Sequence, residues 1–221
     1  NGTYAQKWIV TNEGNGFKIM SAIDTNYVLD IASGKVHNSS NIQVYKSNDT
    51  AAQRWYFNTF ESPRQKLDNM AKQYNAEIEE TTYVISNFAN PNYTIDVSMA
   101  SKSNYANVWL FNSNNTAAQK WTVKKDSVGY ITFINVGSNK ALDVQKAVAK
   151  SGTNIWQYQY NDTYAQKWIA KKNTDGSLTF VSALDPNYVL DISSGKVVNY
   201  QNIQLYQSNG TNAQKFKLTK I

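Results

Sequence analysis

The chain has 221 residues, enough for one large domain or two small ones, and it is rich in aromatic residues (13%) and poor in charged ones (17%). The lack of cysteine excludes disulfides, thiol catalysis and cysteine-based metal sites. No stretch is apolar for long enough to span a membrane. The net charge of +6 comes from scattered lysines and arginines, so nucleic acid is not expected as a partner.

A phrase of eight residues opens the chain and then recurs. It reads NGTYAQKW at 1–8, NDTAAQRW at 48–55, NNTAAQKW at 114–121, NDTYAQKW at 161–168 and NGTNAQKF at 209–216. Its first three residues favour a tight turn in which the asparagine side chain bonds its own backbone. The triplet also matches a glycosylation sequon, but its recurrence at one place favours the turn. The final aromatic residues are 47, 66, 47 and 48 residues apart, which predicts repeats of one size and one insertion.

Other positions recur within each repeat. An aspartate lies between two apolar residues, an aromatic residue follows it by 15 positions, and a glutamine follows 8 positions later. Short runs such as NIQVY at 41–45 and YITFINV at 130–136 have strand character and are bounded by turn residues. Each repeat therefore holds about four short strands, which suits a propeller blade, a trefoil lobe or a solenoid coil.

Residues 61–79 interrupt the repeats and predict one helix. Ser62 is a candidate N-cap, Pro63 suits the first helical position, and Gln65 completes a capping box. We expect about four turns, forming a connector with one apolar face. The apolar residues at helical spacing are Leu67, Met70, Ala71, Tyr74 and Ile78.

The glutamine-x-aromatic ending resembles the Q-x-W motif of the ricin B-type lectins, a family that includes bacterial-type carbohydrate-binding modules. It reads QKW, QRW, QKW, QKW and QKF, and the resemblance covers nearly the whole chain except 61–79. The resemblance implies an all-β fold, the β-trefoil, in which three repeats close one barrel with a hairpin cap. It also implies that the motif aromatics pack in the core. These are Trp55, Trp121, Trp168 and Phe216.

Three repeats, near 80–121, 122–168 and 169–221, predict a complete trefoil domain over 80–221. The segment 21–55 matches 182–216 at a constant offset of 161 residues. We therefore expect residues 1–60 to be the C-terminal third of a truncated trefoil, joined to the second domain by the 61–79 linker. A third of a barrel cannot bury its own apolar faces, so it should complete its fold with another segment or chain.

The resemblance further implies one candidate carbohydrate site per repeat, where an aspartate accepts hydrogen bonds from hydroxyls and a ring stacks on the sugar. In the family such sites bind galactose-like sugars or xylan. The family's helper amide before the motif glutamine is replaced here by alanine, and the asparagine that opens the phrase could substitute. The candidate residues are Asp30, Gln43, Tyr45 and Asn48; Asp191, Gln204, Tyr206 and Asn209; Asp143, Trp156 and Tyr158; and Asp96 with Phe111.

The sequence thus predicts non-catalytic carbohydrate binding by a multivalent module of a larger secreted or cell-surface protein. The expected partners are galactose-like glycans or plant or host polysaccharides, and no metal or other cofactor is expected. Catalysis is disfavoured because the carboxylates recur once per repeat, whereas acid/base pairs lie within roughly 5 to 10 Å of each other. The alternative is a protein-interaction or spacer trefoil that has lost sugar binding, with each aspartate only holding a turn.

Overall fold

The computed structural model describes residues 1–58 and 60–221, which divide into two compact units, Asn1–Phe60 and Glu61–Ile221. Unit 1 contains β1 (Trp8–Asn12), β2 (Phe17–Ser21), β3 (Tyr27–Ile31) and β4 (Ile42–Lys46). Unit 2 contains α1 (Pro63–Tyr74), β5 (Thr82–Asn87), β6 (Tyr93–Val97), β7 (Val108–Asn112), β8 (Lys120–Lys125), β9 (Ile131–Asn135), β10 (Ala141–Val144), β11 (Thr153–Tyr158), β12 (Trp168–Lys172), β13 (Leu178–Ser182), β14 (Tyr188–Ile192), β15 (Gln201–Gln207) and β16 (Phe216–Lys220). Short 3₁₀ turns lie at Tyr4–Gln6, Ala32–Gly34, Ala51–Gln53, Ser98–Ala100, Ala117–Gln119, Gln145–Ala147, Tyr164–Gln166, Ser193–Gly195 and Asn212–Gln214.

Unit 2 is a closed barrel with a cap. Strands β5, β8, β9, β12, β13 and β16 pair in that order, each antiparallel to the next, and β16 returns to β5. The other strands form the hairpins β6–β7, β10–β11 and β14–β15, which meet where β15 pairs with β7 and with β11. A six-stranded barrel capped by three hairpins is a β-trefoil, so the predicted all-β fold is confirmed. Its first, second and third lobes are β5–β8, β9–β12 and β13–β16.

The aromatic residues of the repeated motif fill the barrel of unit 2. Trp121, Trp168 and Phe216 are fully buried, as the family resemblance predicts. The indole Nε1 of Trp121 donates to the Ile95 carbonyl at 3.2 Å, which ties the last strand of the lobe to the strand that carries its aspartate. In unit 1 the equivalent Trp55 is only partly buried.

The helix predicted within residues 61–79 is present. Ser62 Oγ accepts from the Gln65 amide at 3.1 Å, and Gln65 Oε1 accepts from the Ser62 amide at 2.9 Å, so the predicted capping box forms. The helix spans 12 residues, about three turns instead of the expected four. It ends because the buried side chain of Asn75 turns to β12, where it donates to the Trp168 carbonyl and accepts from the Ala170 amide.

The apolar face of α1 packs on the barrel of unit 2. Leu67 and Ala71 are buried in a cluster with Ile169 and Val181. The loop below the helix is closely fitted, since a Cβ at Gly129, whose φ is +109°, would lie 3.3 Å from the Ala71 backbone. The predicted face therefore forms, although Ile78 lies beyond the end of the helix.

The strands of unit 1 pair as they do in unit 2, but the described part of unit 1 lacks a buried core. Strands β1 to β4 pair in sequence, with the register that β12 to β15 show in unit 2. Ile42 and Val44 are 45% and 52% exposed, whereas their counterparts Ile203 and Leu205 in unit 2 are fully buried. The local strand order thus needs only one repeat, whereas burial of its apolar face needs further lobes.

Candidate functional site

Each recurring aspartate lies on the same sheet face as its aromatic residue. The aspartate pairs across the hairpin with the residue that stands two positions before the aromatic. Alternate residues of a strand share a face, so the aromatic ring lies diagonally beside the carboxylate. The cross-strand pairs are Asp30 with Gln43, Asp96 with Trp109, Asp143 with Trp156, and Asp191 with Gln204.

The Asp191 carboxylate lies at the base of a cavity of about 480 Å³. Its Oδ1 accepts from Gln204 Nε2 at 2.8 Å and its Oδ2 from Gln214 Nε2 at 3.1 Å, and the residue is only 5% exposed. A carboxylate offers about four acceptor positions, so roughly two remain for a ligand. Tyr206 and Asn209 line the same cavity, so the structure brings this predicted set together.

The Asp30 site of unit 1 has the same construction. Asp30 accepts from Gln43 Nε2 at 2.8 Å and from Gln53 Nε2 at 3.0 Å, below a cavity of about 490 Å³ lined by Tyr45 and Asn48. This site forms although the core face of unit 1 is exposed, so its geometry depends on contacts within one repeat.

Tryptophan takes the place of the glutamine donor in the other two sites. Trp109 Nε1 donates to Asp96 Oδ1 at 2.8 Å, and Trp156 Nε1 donates to Asp143 Oδ1 at 2.5 Å. An indole N–H is a donor only, so it holds the carboxylate as the amide does. The Asp96 site forms a cavity of about 370 Å³, and Phe111, the other candidate residue of this site, lines it.

The motif glutamine joins two strands and orders the turn that precedes it. Gln214 Nε2 also donates to the Gln207 carbonyl at 3.0 Å, and its Oε1 accepts from the Asn209 amide at 2.8 Å. Asn209 Oδ1 accepts from the backbone amide and hydroxyl of Thr211 at 3.1 and 2.8 Å. Because this oxygen is engaged in the turn, the Nδ2 group is the part of Asn209 that can donate to a ligand.

The three site carboxylates of unit 2 are poorly solvated. Burial raises the pKa of Asp96, Asp143 and Asp191, and the hydrogen bonds from the tryptophan or glutamine donors offset part of that rise. A partly desolvated carboxylate gains from a neutral ligand that donates hydrogen bonds, because such bonds replace the lost water.

Sequence reasoning missed residues that reach the cavities from turns. Ser194 and Gly195 line the Asp191 cavity, and Met99 lines the Asp96 cavity at the corresponding turn. These residues could have been found from the sequence, because they stand three or four positions after the aspartate of their repeat. Tyr200 also lines the Asp96 cavity although it belongs to the third lobe, which no rule of local sequence indicates.

The described residues contain no group of histidines, aspartates or glutamates that could hold a metal ion. Among the same residues, no helix has the length and apolar character needed to cross a membrane.

The sequence matches a known family, and the fold matches solved structures. The family described as ricin-type beta-trefoil lectin domain-like matches residues 4–111, 70–158 and 117–206. The structure is similar to a designed three-fold symmetric protein, ThreeFoil, at 26% identity and a TM-score of 0.61, over 63% of this chain and 99% of that one. It is similar to the Rhizoctonia solani agglutinin at 18% identity and a TM-score of 0.59, over 66% of this chain and 98% of that one.

A longer protein also shares the fold. An exo-beta-1,3-galactanase from Clostridium thermocellum is 19% identical with a TM-score of 0.61, over 99% of this chain and 47% of that one. This chain therefore spans about half the length of the galactanase. No curated protein matches the sequence.

Proposed function

Because the chain belongs to the family of ricin-type β-trefoil lectin-like domains, we propose that it binds carbohydrate without catalysis, through aspartate sites that recur once per repeat. One observation carries this proposal. In every repeat a buried aspartate, held by glutamine or tryptophan donors, lies beside an aromatic ring on the same face of a hairpin. A buried acceptor next to an apolar ring suits a sugar, which has both hydroxyls and an apolar C–H face.

In the Asp191 site each side chain makes a different interaction with the sugar. The carboxylate accepts hydrogen bonds from two neighbouring hydroxyls, and Asn209 donates one through Nδ2. The Tyr206 ring, 39% exposed, is available for stacking against the apolar face of a galactose-like sugar. Among the described residues that line this cavity, Asp191 is the one carboxylic acid, whereas glycoside hydrolysis uses a pair. This supports binding without catalysis.

Repetition of the site favours a multivalent role. A single shallow site of this kind binds weakly, and linked sites raise the effective concentration for each further contact. We propose that the chain targets a larger secreted or cell-surface protein to galactose-like glycans or to plant or host polysaccharides. The similar galactanase, about twice as long as the part that matches, supports a role as one module among others.

We also propose that unit 1 completes its fold with two lobes of the same kind, from another segment or another chain. In unit 2, Asn154 donates to Asn107, Asn107 to Asn202, and Asn202 to Asn154, each at 2.9 Å, in a closed ring where the hairpins meet. These asparagines stand 11 residues after the aspartates of their lobes. The equivalent residue of unit 1 is Asn41, which is exposed together with the apolar face of its sheet.

Carbohydrate binding is tested by a glycan array with two matched double variants. Asp30→Asn/Asp191→Asn removes the carboxylates of the two glutamine-type sites and should lower the array signal at least tenfold, about the scale of a lost avidity contact. Asp24→Asn/Asp185→Asn removes the same charge from turns outside those cavities, where asparagine can accept the same backbone bond. This control should bind like the unaltered protein. Equal losses in both variants would contradict the proposed sites.

One observation favours the alternative, a trefoil that binds or spaces proteins. Each of the carboxylates Asp30, Asp143 and Asp191 already accepts two side-chain hydrogen bonds, which explains its burial without a ligand. A blank array obtained with folded protein would support this alternative.

A further inference from the structure

The Asp96 site receives an aromatic wall from another lobe. The ring of Tyr200, in the third lobe, lies 5.1 Å from that of Trp109 and 5.2 Å from that of Phe111, between centroids. Its position is set by the backbone, because the Tyr200 amide donates to the Leu110 carbonyl at 2.9 Å. Tyr200 nevertheless remains 64% exposed, so its ring is accessible to a ligand in the cavity that it lines.

The same contact recurs at the next junction between lobes. Tyr105 of the first lobe lies 4.9 Å from Trp156 and 5.2 Å from Tyr158, beside Asp143 of the second lobe. Its amide donates to the Gln157 carbonyl at 2.9 Å. Both tyrosines adopt a φ of +68° and stand nine residues after the aspartate of their own lobe.

The third junction has the backbone contact without the ring. Gly152 stands at the equivalent position of the second lobe, and its amide donates to the Leu205 carbonyl at 2.9 Å. A Cβ at Gly152 would meet no atom within 4 Å, so the space beside the Asp191 site is open. The trefoil therefore contains two sites with an inter-lobe tyrosine and one natural counterpart without it.

The tyrosine changes the shape of what can bind. Trp109 and Phe111 are nearly parallel, at 24°, and form one wall, whereas Tyr200 meets them at 76° and 63° and forms a second. An unsubstituted hexose has one apolar face to set against the first wall. The second wall gains a partner only when the sugar carries a further apolar group, such as the methyl of an acetamido substituent. Met99, exposed in the turn that lines this cavity, adds to its apolar character.

We propose that the tyrosine contributed by the neighbouring lobe sets sugar specificity, so that the Asp96 and Asp143 sites select N-acetylated amino sugars over plain hexoses. The Asp191 site, which has Gly152 at this junction, binds N-acetylated amino sugars and plain hexoses with equal affinity. This proposal rests on the proposed carbohydrate binding and names the ligand class of each site.

Nuclear magnetic resonance can follow each site separately in the full chain. The indole N–H groups of Trp109 and Trp156 bond the Asp96 and Asp143 carboxylates, and the Gln204 amide bonds Asp191, so each is a local reporter. The probes are galactose against N-acetylgalactosamine, and glucose against N-acetylglucosamine. In one of these series, the acetylated sugar should shift both indole signals at a concentration roughly fivefold to tenfold lower than the plain hexose does, the scale of one aromatic contact. The Gln204 signal should respond to both sugars equally.

Two substitutions should exchange the specificities. Tyr200→Ser should abolish the preference at Trp109 and leave it unchanged at Trp156. Serine is compatible with the backbone there, because Ser39 holds the equivalent position in unit 1 at a φ of +70°. Gly152→Tyr should create the preference at Gln204, with Gly152→Ser as its control, and an unchanged spectrum of backbone amides establishes that each variant is folded.

The outcomes separate this inference from the proposed function. If sugars shift all reporters with the same ratio, or if Tyr200→Ser leaves the ratio at Trp109 unchanged, the specificity proposal is wrong while carbohydrate binding stands. A rise in affinity for both sugars in Tyr200→Ser would show that the tyrosine only obstructs the site, which also overturns the proposal. If no sugar shifts any reporter, carbohydrate binding itself fails.

Discussion

Gln214 holds the Asp191 carboxylate, and replacing it with glutamate reverses the polarity of that contact. The glutamine is fully buried, and its Nε2 donates to Asp191 Oδ2 at 3.1 Å and to the Gln207 carbonyl at 3.0 Å. An ionised glutamate of the same shape cannot donate either bond, and it places a second carboxylate against the first. Gln214→Glu should therefore destabilise unit 2 in a manner that depends on pH.

The size of the effect is limited by proton uptake. Two charges about 3 Å apart repel by roughly 5 kcal/mol at an effective dielectric constant of about 20. Keeping a glutamic acid protonated at about pH 7, roughly 2.7 units above its ordinary pKa, costs about 3.7 kcal/mol and restores a donor to the contact. The folded chain therefore takes up a proton, and we expect a loss of about 4 kcal/mol at neutral pH.

The sign of the pH dependence follows from linkage. The pKa of the carboxylate pair is raised in the folded state above its unfolded value of about 4.3. The stability of the variant is therefore fully present below that unfolded value and is lost as the pH rises through the folded one. The destabilisation should shrink by about 1.4 kcal/mol for each pH unit of acidification.

Urea unfolding at several pH values measures this effect, with the buried Trp121 and Trp168 as fluorescent reporters of unit 2. Gln207→Glu is the control, because it adds the same charge at an exposed side chain of β15. Its effect should stay within about 0.5 kcal/mol. A loss in Gln214→Glu that is the same at every pH would refute the reasoning, since a contact between two carboxylates must respond to protons.

Three further predictions concern the helix, the carboxylate and the exposed sheet. Leu67→Ala should lower the free energy of unfolding of unit 2 by about 2–5 kcal/mol in urea titrations, because it opens a cavity under α1. Sugar binding at Asp191 should be lost as the pH falls through a value above the ordinary 3.8, because burial raises the pKa of this acceptor, and calorimetric titration across pH tests this. Ile42→Lys should leave unit 1 as stable as before and block its association with further lobes in light scattering, whereas Ile203→Lys should unfold unit 2.

The sequence predicted those features whose causes lie close together along the chain. The capping box at Ser62 and the turn at Asn209 depend on residues two or three positions apart, so their spacing is visible in the sequence. The shared face of Asp191 and Tyr206 depends on strand alternation within one hairpin. The turn and the shared face also recur with the period of the sequence, which made them recognisable.

The remaining features depend on a change of residue type within the repeat, or on contacts between elements that the period does not encode. Trp109 is large and aromatic, so it does not resemble the glutamine that holds this position in other repeats. It shares with glutamine an N–H donor, and the Asp96 carboxylate accepts from that donor. Tyr200 looks like a loop residue of its own lobe, and it reaches the Asp96 site only because the barrel closes the third lobe onto the first. The helix ends at Asn75 because of a strand almost 100 residues away.

Comparison of the two units distinguishes the residues that build the acceptor of a site from the residue that lines its side. In unit 1 the carboxylate and its motif glutamine, Asp30 and Gln53, are buried as deeply as Asp191 and Gln214 are in the closed trefoil. The acceptor at the base of each cavity is therefore built by one repeat. The wall beside it belongs to the neighbouring repeat, at a backbone position where tyrosine, glycine and serine all adopt positive φ. A substitution at that position can alter the ligand of one site without disturbing its carboxylate, so repeats with nearly the same motif can carry different specificities on one barrel.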